Sequence, residues 1–253
     1  MNHQEYIKEV KSASTCILFI HGILGSPNHF DDFIPLIPSD YSIYNILLDG
    51  HGKGVKDFAK TSKSKWISQI EKTLMSLSNK FENIYIVAHS MGTLLTLQNI
   101  TKYSKIKSCF LLATPLKIIL KPGMVLTSIK IYLNKIKETD IKTQEAKRCY
   151  GISSDYNIFK YLGWIPRFLD LFSLSKKTKK IINNINIPCF VYLSKKDEVV
   201  STKSRKLLDG NNYMHVDVLN KSSHFYYEKQ DKEYLLHQFK IFIENINNKV
   251  FYN

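Results

Sequence analysis

Short apolar, β-prone runs alternate along the chain with longer stretches whose apolar positions recur every three or four residues. The runs Cys16–Ile20, Ile43–Leu48, Ile84–Ala88, Cys109–Ala113, Cys189–Ser194 and His215–Leu219 predict strands. Most are apolar at successive positions, as strands covered on both faces must be. Thr61 to Leu77 places Trp66, Ile70, Leu74 and Leu77 on one helical stripe, and Ser90 to Tyr103 does the same with Leu94, Leu95, Leu97 and Ile100. A last helix, Asp231 to Ile246, aligns Leu235, Leu236, Phe239, Phe242, Ile243 and Ile246. Strands alternating with crossover-length helices specify an α/β fold with a mostly parallel central sheet flanked by helices.

The alternation stops between Pro115 and Ile187. This stretch keeps helical periodicity, from Ile118 to Ile136 and again from Phe159 to Phe172, but contains no clear strand before Ile187-Pro188-Cys189. The expected organisation is a core made of residues 1–113 and 188–253, with residues 114–187 inserted as a helical cap over the sheet's carboxyl edge.

Composition narrows the class. The 253 residues carry 36 Lys+Arg against 22 Asp+Glu, a net charge of +14. Such a balance invites a nucleic-acid reading, yet only Arg148, Arg167 and Arg205 are arginine, the residue best suited to bidentate phosphate and base recognition. No nucleic-acid partner is therefore expected. The excess is uneven: residues 114–187 hold fourteen basic and five acidic residues, including Lys176, Lys177, Lys179 and Lys180. Either this is a solvated lysine face, or the cap makes peripheral contact with anionic lipid surfaces. No apolar run approaches the roughly 18 residues needed to span a bilayer, and no apolar h-region follows the N-terminus closely. Cys16, Cys109, Cys149 and Cys189 show no CxxC spacing, and three sit in or beside strand-like runs. They read as buried, reduced thiols of a cytoplasmic protein.

The chemistry concentrates at strand ends. Ala88-His89-Ser90-Met91-Gly92 joins the strand Ile84–Ala88 to a helix, where small residues two before and two after a serine let a sharp turn lift its Oγ above the sheet. His21-Gly22-Ile23-Leu24-Gly25 follows the first strand and can aim the Ile23 N–H at the same space; with the Met91 N–H it makes a two-donor oxyanion hole. His21 reads as a group that holds this loop by hydrogen bonding. A serine nucleophile requires a base, and the base an orienting carboxylate. Asp197 and His224 each follow a strand in the order serine, acid, histidine; Glu198 is the rival to Asp197. His89 reads as packing, because successive residues at such a turn point apart. His215 and Asp217, inside a strand, read as structural. Gly50-His51-Gly52 is expected at the rim of the site. No cluster has metal-ligand spacing and no glycine-rich phosphate loop is present, so no metal or cofactor is expected.

These residues together resemble the α/β-hydrolase superfamily over almost the whole chain, and within it small bacterial carboxylesterases and monoacylglycerol lipases. The resemblance rests on the oxyanion loop His21 to Gly25, the turn Gly50 to Gly52, the elbow Ala88 to Gly92, the acid segment Asp197 to Val200 and Ser222 to His224. Ala88 departs from the glycine usual at the first elbow position, and the cap carries no recognisable specificity motif. The resemblance implies an α/β-hydrolase fold with a cap between the sixth and seventh strands. It also implies hydrolysis of a small-molecule carboxylic ester, short- to medium-chain acyl esters or monoacylglycerols, through an acyl-enzyme formed on Ser90, with no cofactor. The competing reading is a non-catalytic receptor of the same fold for a small hydrophobic ligand.

Overall fold

A computed structural model describes residues 3–247. The chain forms β1 (Tyr6–Lys8), β2 (Thr15–Ile20), β3 (Ser42–Ile46), β4 (Lys53–Gly54), α1 (Val55–Lys60), α2 (Lys63–Lys80), β5 (Asn83–His89), α3 (Met91–Leu97) and β6 (Ile106–Leu112). There follow α4 (Pro122–Tyr132), α5 (Ile141–Cys149), β7 (Ile152–Ser153), a 3-10 segment (Ile158–Trp164) and α6 (Ile165–Ile181). The chain closes with β8 (Cys189–Ser194), α7 (Arg205–Leu208), β9 (Met214–Leu219) and α8 (Lys229–Asn247).

Seven strands form one sheet in the order β1-β3-β2-β5-β6-β8-β9, parallel throughout except that β1 runs antiparallel to β3. The period-two geometry of a strand explains its two-sided burial. Cys16, Leu18 and Ile20 face a core completed by α2, α3 and α6, whereas Ile17 and Phe19 face one completed by α8 and Phe30 and Phe33. The expected strands thus appear within two or three residues of their predicted limits. The three-residue β1 was not foreseen, because Tyr6 and Ile7 lie half-exposed on an edge and leave no periodic signal. The α-helix after Ser90 also ends earlier than its apolar stripe suggests. The Asn99 side chain donates to the Leu95 carbonyl at 2.9 Å while its backbone N–H turns to Thr96, so the helix tightens into a 3-10 turn.

Between β6 and β8 the described elements are helical apart from β7, which pairs with β4 over two residues. They are of two kinds. Parallel neighbours need a crossover, and α6 supplies it: Leu171 and Leu174 are buried, and Gln98 donates to the Leu174 carbonyl at 3.1 Å and to Thr178 at 2.9 Å. α4, α5 and the 3-10 segment have no such crossover role. The four cysteines are free and buried, and no described helix is long and apolar enough to cross a membrane.

Candidate active site

β5, at the centre of the sheet, delivers Ser90 to its carboxyl edge. Ser90 adopts φ 51° and ψ −120°, a left-handed conformation held by Ser90 N–H donating to Leu112 and by Thr93 N–H donating to Ser90. Two glycines make the turn possible. A Cβ on Gly92 would lie 2.1 Å from the Ile20 carbonyl oxygen, and one on Gly22 would lie 2.7 Å from Ser90 Cβ. Ala88, in contrast, fits as a fully buried strand residue, so the sheet accepts a methyl group where the resemblance led to a glycine.

The loops after β8 and β9 bring the other two groups. His224 Nε2 is 3.1 Å from Ser90 Oγ, and His224 Nδ1 is 2.8 Å from Asp197 Oδ2. Asp197 Oδ1 accepts the Val199 and Val200 N–H groups at 2.7 and 2.8 Å, which fixes the carboxylate plane. All three side chains are buried. The rival Glu198 is engaged elsewhere: one oxygen accepts the backbone N–H of His224 at 3.2 Å and the other pairs with Lys142. Asp231 holds the histidine loop from below, accepting the Lys221 and Ser222 N–H groups and the Ser222 hydroxyl at 2.7 to 2.8 Å. Sequence reading passed over Asp231, which looks like an ordinary first-turn acid of α8.

Opposite Ser90, the Gly22–Gly25 turn is closed by a 3.1 Å backbone bond. His21 fixes it. Its Nε2 accepts the Leu48 N–H at 3.0 Å, so Nδ1 carries the proton and donates to the Gly22 carbonyl at 2.8 Å. Burial drives its pKa well below the usual imidazole value, as suits a neutral structural group. Ile23 N–H has no backbone acceptor among the described residues, and Met91 N–H, first in α3, has none within the helix.

Gly50 and His51 are not where the sequence placed them. Neither is among the residues that line the cavity beside His224: Gly50 is half-buried against Thr61, while His51 packs edge-on against His21 and Phe58, and its Nδ1 faces the Leu48 and Asp49 carbonyls. The positive φ of Gly50 and Gly52 turns this loop back toward α1, carrying the imidazole inward. A histidine that the sequence left unnoticed, His29, stacks on His89 with ring centres 3.8 Å apart, and His89 Nε2 donates to the His224 carbonyl at 3.0 Å. His89 is therefore a packing residue, as expected, with the added task of steadying His224. Burial, with His224 and Arg148 nearby, lowers the His29 pKa to about 3.

Beside His224 opens a cavity of about 370 Å³. Ile23 and Leu24 wall one side, Ile118, Leu120, Met124 and Ser128 a second, and Phe168, Leu171 and Phe172 a third. Val199 and Phe225 complete it.

Residues 11–227 match the family model described as serine aminopeptidase, S33. The chain belongs to this hydrolase family. Its fold is that of the α/β-hydrolases. It superposes on a chain from a study of the metagenome-derived lipolytic enzymes LipS and LipT with a TM-score of 0.70 at 17% identity, covering 96% of this chain and 98% of that one. It superposes on the Paleococcus ferrophilus monoacylglycerol lipase with a TM-score of 0.68 at 15% identity, over 95% and 99% of the two chains. A probable lysophospholipase of Arabidopsis thaliana, BODYGUARD 4, is 33% identical over 111 residues, 42% of this chain. The matched part spans only 26% of that relative.

Proposed function

We propose that the protein is a serine hydrolase of carboxylic esters with short- to medium-chain acyl groups, monoacylglycerols among them. The observation that carries this reading is the unbroken series Ser90–His224–Asp197 opening onto an apolar cavity. In this mechanism His224 takes the Ser90 proton as Oγ attacks the ester carbonyl, then returns it to the leaving alcohol. Asp197 holds the imidazole with its proton on Nδ1 and stabilises the imidazolium. The Ile23 and Met91 N–H groups receive the developing oxyanion, each such donor being worth about 100- to 1,000-fold in rate. Water activated by His224 then releases the acid. The lipolytic and monoacylglycerol-cleaving proteins of the same fold agree with this reading.

The family description favours a second reading, cleavage of an aminoacyl amide. An aminopeptidase must neutralise the substrate's α-ammonium group, which calls for a carboxylate facing the cavity. Apart from His224, the only polar side chain among the described lining residues is Ser128. A desolvated ammonium would be left unpaired there, whereas an acyl chain is matched.

Labelling with a fluorophosphonate, followed by rates on nitrophenyl esters of increasing chain length and on aminoacyl nitroanilides, tests the proposal. Expected are labelling and ester turnover that vanish in Ser90→Ala. Turnover of nitroanilides alone would favour the peptidase. Absence of labelling in folded protein would favour a non-catalytic receptor.

A further inference from the structure

Twelve of the eighteen exposed large hydrophobic side chains among the described residues fall between Leu120 and Phe172, in less than a third of the chain. They are ordered. Leu126 and Ile129 share one face of α4, continued by Leu133 just past its end; Ile165, Leu169 and Phe172 share one face of α6, opposite the buried Leu171, Leu174 and Thr178. Leu169 is 62% exposed and Leu126 60%, values that would leave greasy stripes in water. The two helices meet at the cavity, which Met124 and Ser128 line from one side and Phe168 and Phe172 from the other. The stripes therefore flank its mouth.

Charge identifies what covers them. The α6 stripe runs on, at helical spacing, into exposed Lys176 and Lys180, with Lys177 and Lys179 beside them. Four of the five acidic residues of the same segment are already occupied: Asp140 pairs with Lys130, Glu145 with Arg148, Asp155 with Lys160 and Asp170 with Arg167. The four α6 lysines have no acidic partner among the described residues. A second copy of the chain would bring these uncompensated lysines against one another, whereas an anionic lipid surface accepts both apolar face and lysines.

We propose that the face formed by α4, the 3-10 segment and α6 docks on anionic lipid surfaces, presenting the mouth of the cavity to the lipid phase. The inference rests on the reading of that cavity as an acyl site only for its purpose; the docking itself does not depend on catalysis.

The test is co-sedimentation of the full chain with phosphatidylcholine vesicles and with vesicles containing phosphatidylglycerol, in the native protein and in Ser90→Ala. Both proteins should bind the anionic vesicles at least tenfold more tightly, and the preference should shrink as salt is raised. Lys176→Glu with Lys180→Glu should erase the anionic preference. Ile129→Glu with Leu169→Glu, which do not line the cavity, should abolish sedimentation while leaving hydrolysis of a soluble short-chain nitrophenyl ester and the circular dichroism spectrum unchanged. Folded native protein that stays in the supernatant with both vesicle types overturns the proposal. So does a dimer at micromolar concentration that Leu169→Glu dissociates, since that assigns the face to a second copy. Failure of fluorophosphonate labelling with vesicle binding intact would instead remove the hydrolase reading and leave the docking standing.

Discussion

Replacing Asp197 by asparagine changes one atom of the site, and the surrounding hydrogen bonds dictate its effect. Oδ1 of Asp197 accepts two backbone N–H groups, from Val199 and Val200. In Asp197→Asn the amide oxygen must stay there. The flipped amide would aim its NH2 at both donors and leave each buried and unsatisfied, at about 1–3 kcal/mol apiece. The NH2 is thus forced toward His224 Nδ1, 2.8 Å from the atom it replaces. Nδ1 must then accept, the proton moves to Nε2, and Nε2 no longer takes the proton from Ser90 Oγ 3.1 Å away. Inverting the tautomer in a serine-protease triad lowers turnover roughly 10⁴-fold, about 5.4 kcal/mol of barrier. The same loss in kcat is expected here on a nitrophenyl ester near pH 7.5, with little change in melting temperature because every backbone bond is retained. Glu198→Gln is the control. Its amide oxygen can still accept the His224 N–H, and only the exposed-side pairing with Lys142 is lost, so activity should stay within about tenfold of native. Asp197→Asn retaining more than a tenth of native turnover would refute the reasoning; if Glu198→Gln were then the inactive variant, Glu198 would be the acid.

Gly22→Ala should lower turnover about 100-fold or more while costing modest stability, since its Cβ would press on Ser90 Cβ and displace the nucleophile; esterase assay beside thermal melting separates the two effects. Gly92→Ala should fail to accumulate as folded protein, because the clash is with the Ile20 backbone carbonyl and nothing flexible can yield; soluble, native-like Gly92→Ala would contradict the close packing of the elbow against the end of β2. Burial holds His29 near a pKa of about 3 and His51 near about 4, with His21 and His89 also well below their usual value. These groups stay neutral in the fold but protonate in the unfolded chain below about pH 6.5. Their contribution is complete above that pH and is lost as pH falls toward 4, by up to about 1.4 kcal/mol per pH unit for each histidine. Urea midpoints should therefore drop between pH 7 and 5, and a flat profile would count against neutral buried rings. Burial also raises the Cys149 thiol to about 12 and leaves the other three cysteines enclosed, so a thiol reagent at pH 8 should modify none in native protein and four after denaturation.

What the sequence made legible follows from how locally each feature is determined. Strands apolar at every position announce themselves, because burial on both sides is written into consecutive residues, and the elbow is legible because a strand, a small-residue turn and a helix adjoin within about ten residues. His224 and Asp197 were found by chain order at strand ends. What escaped depends on contacts distant in sequence. His29 meets His89 only when the loop after β2 folds over the end of β5, and the competition between Asp197 and Glu198 is decided by Lys142, more than fifty residues away. The placement of His51 failed for a related reason. A Gly-His-Gly turn reads the same whether its imidazole faces the site or the core, and only the positive φ of the flanking glycines sends it inward.

The segment between β6 and β8 is tied to every part of the site it overlies. At its start, Ile119 N–H donates to Val199 and Lys121 N–H to Glu198, while Ser201 N–H returns a bond to Lys117, so the acid-bearing loop is splinted by the residues that lead into α4. After α5, Gly151 N–H donates to Leu24 at 2.8 Å and its carbonyl accepts from Gly52, closing the segment onto the oxyanion loop. A Cβ at Gly151 would fall 2.2 Å from the Gly25 carbonyl oxygen, which explains a glycine there. At its end, α6 packs behind the helix that follows Ser90. Displacing the whole segment would break backbone bonds to both the acid loop and the donor loop, each break exposing paired groups at about 1 kcal/mol or more. Access to the cavity must therefore come from smaller movements of α4 between these anchors, the helix whose outward Leu126 and Ile129 are apolar and whose Met124 and Ser128 line the cavity.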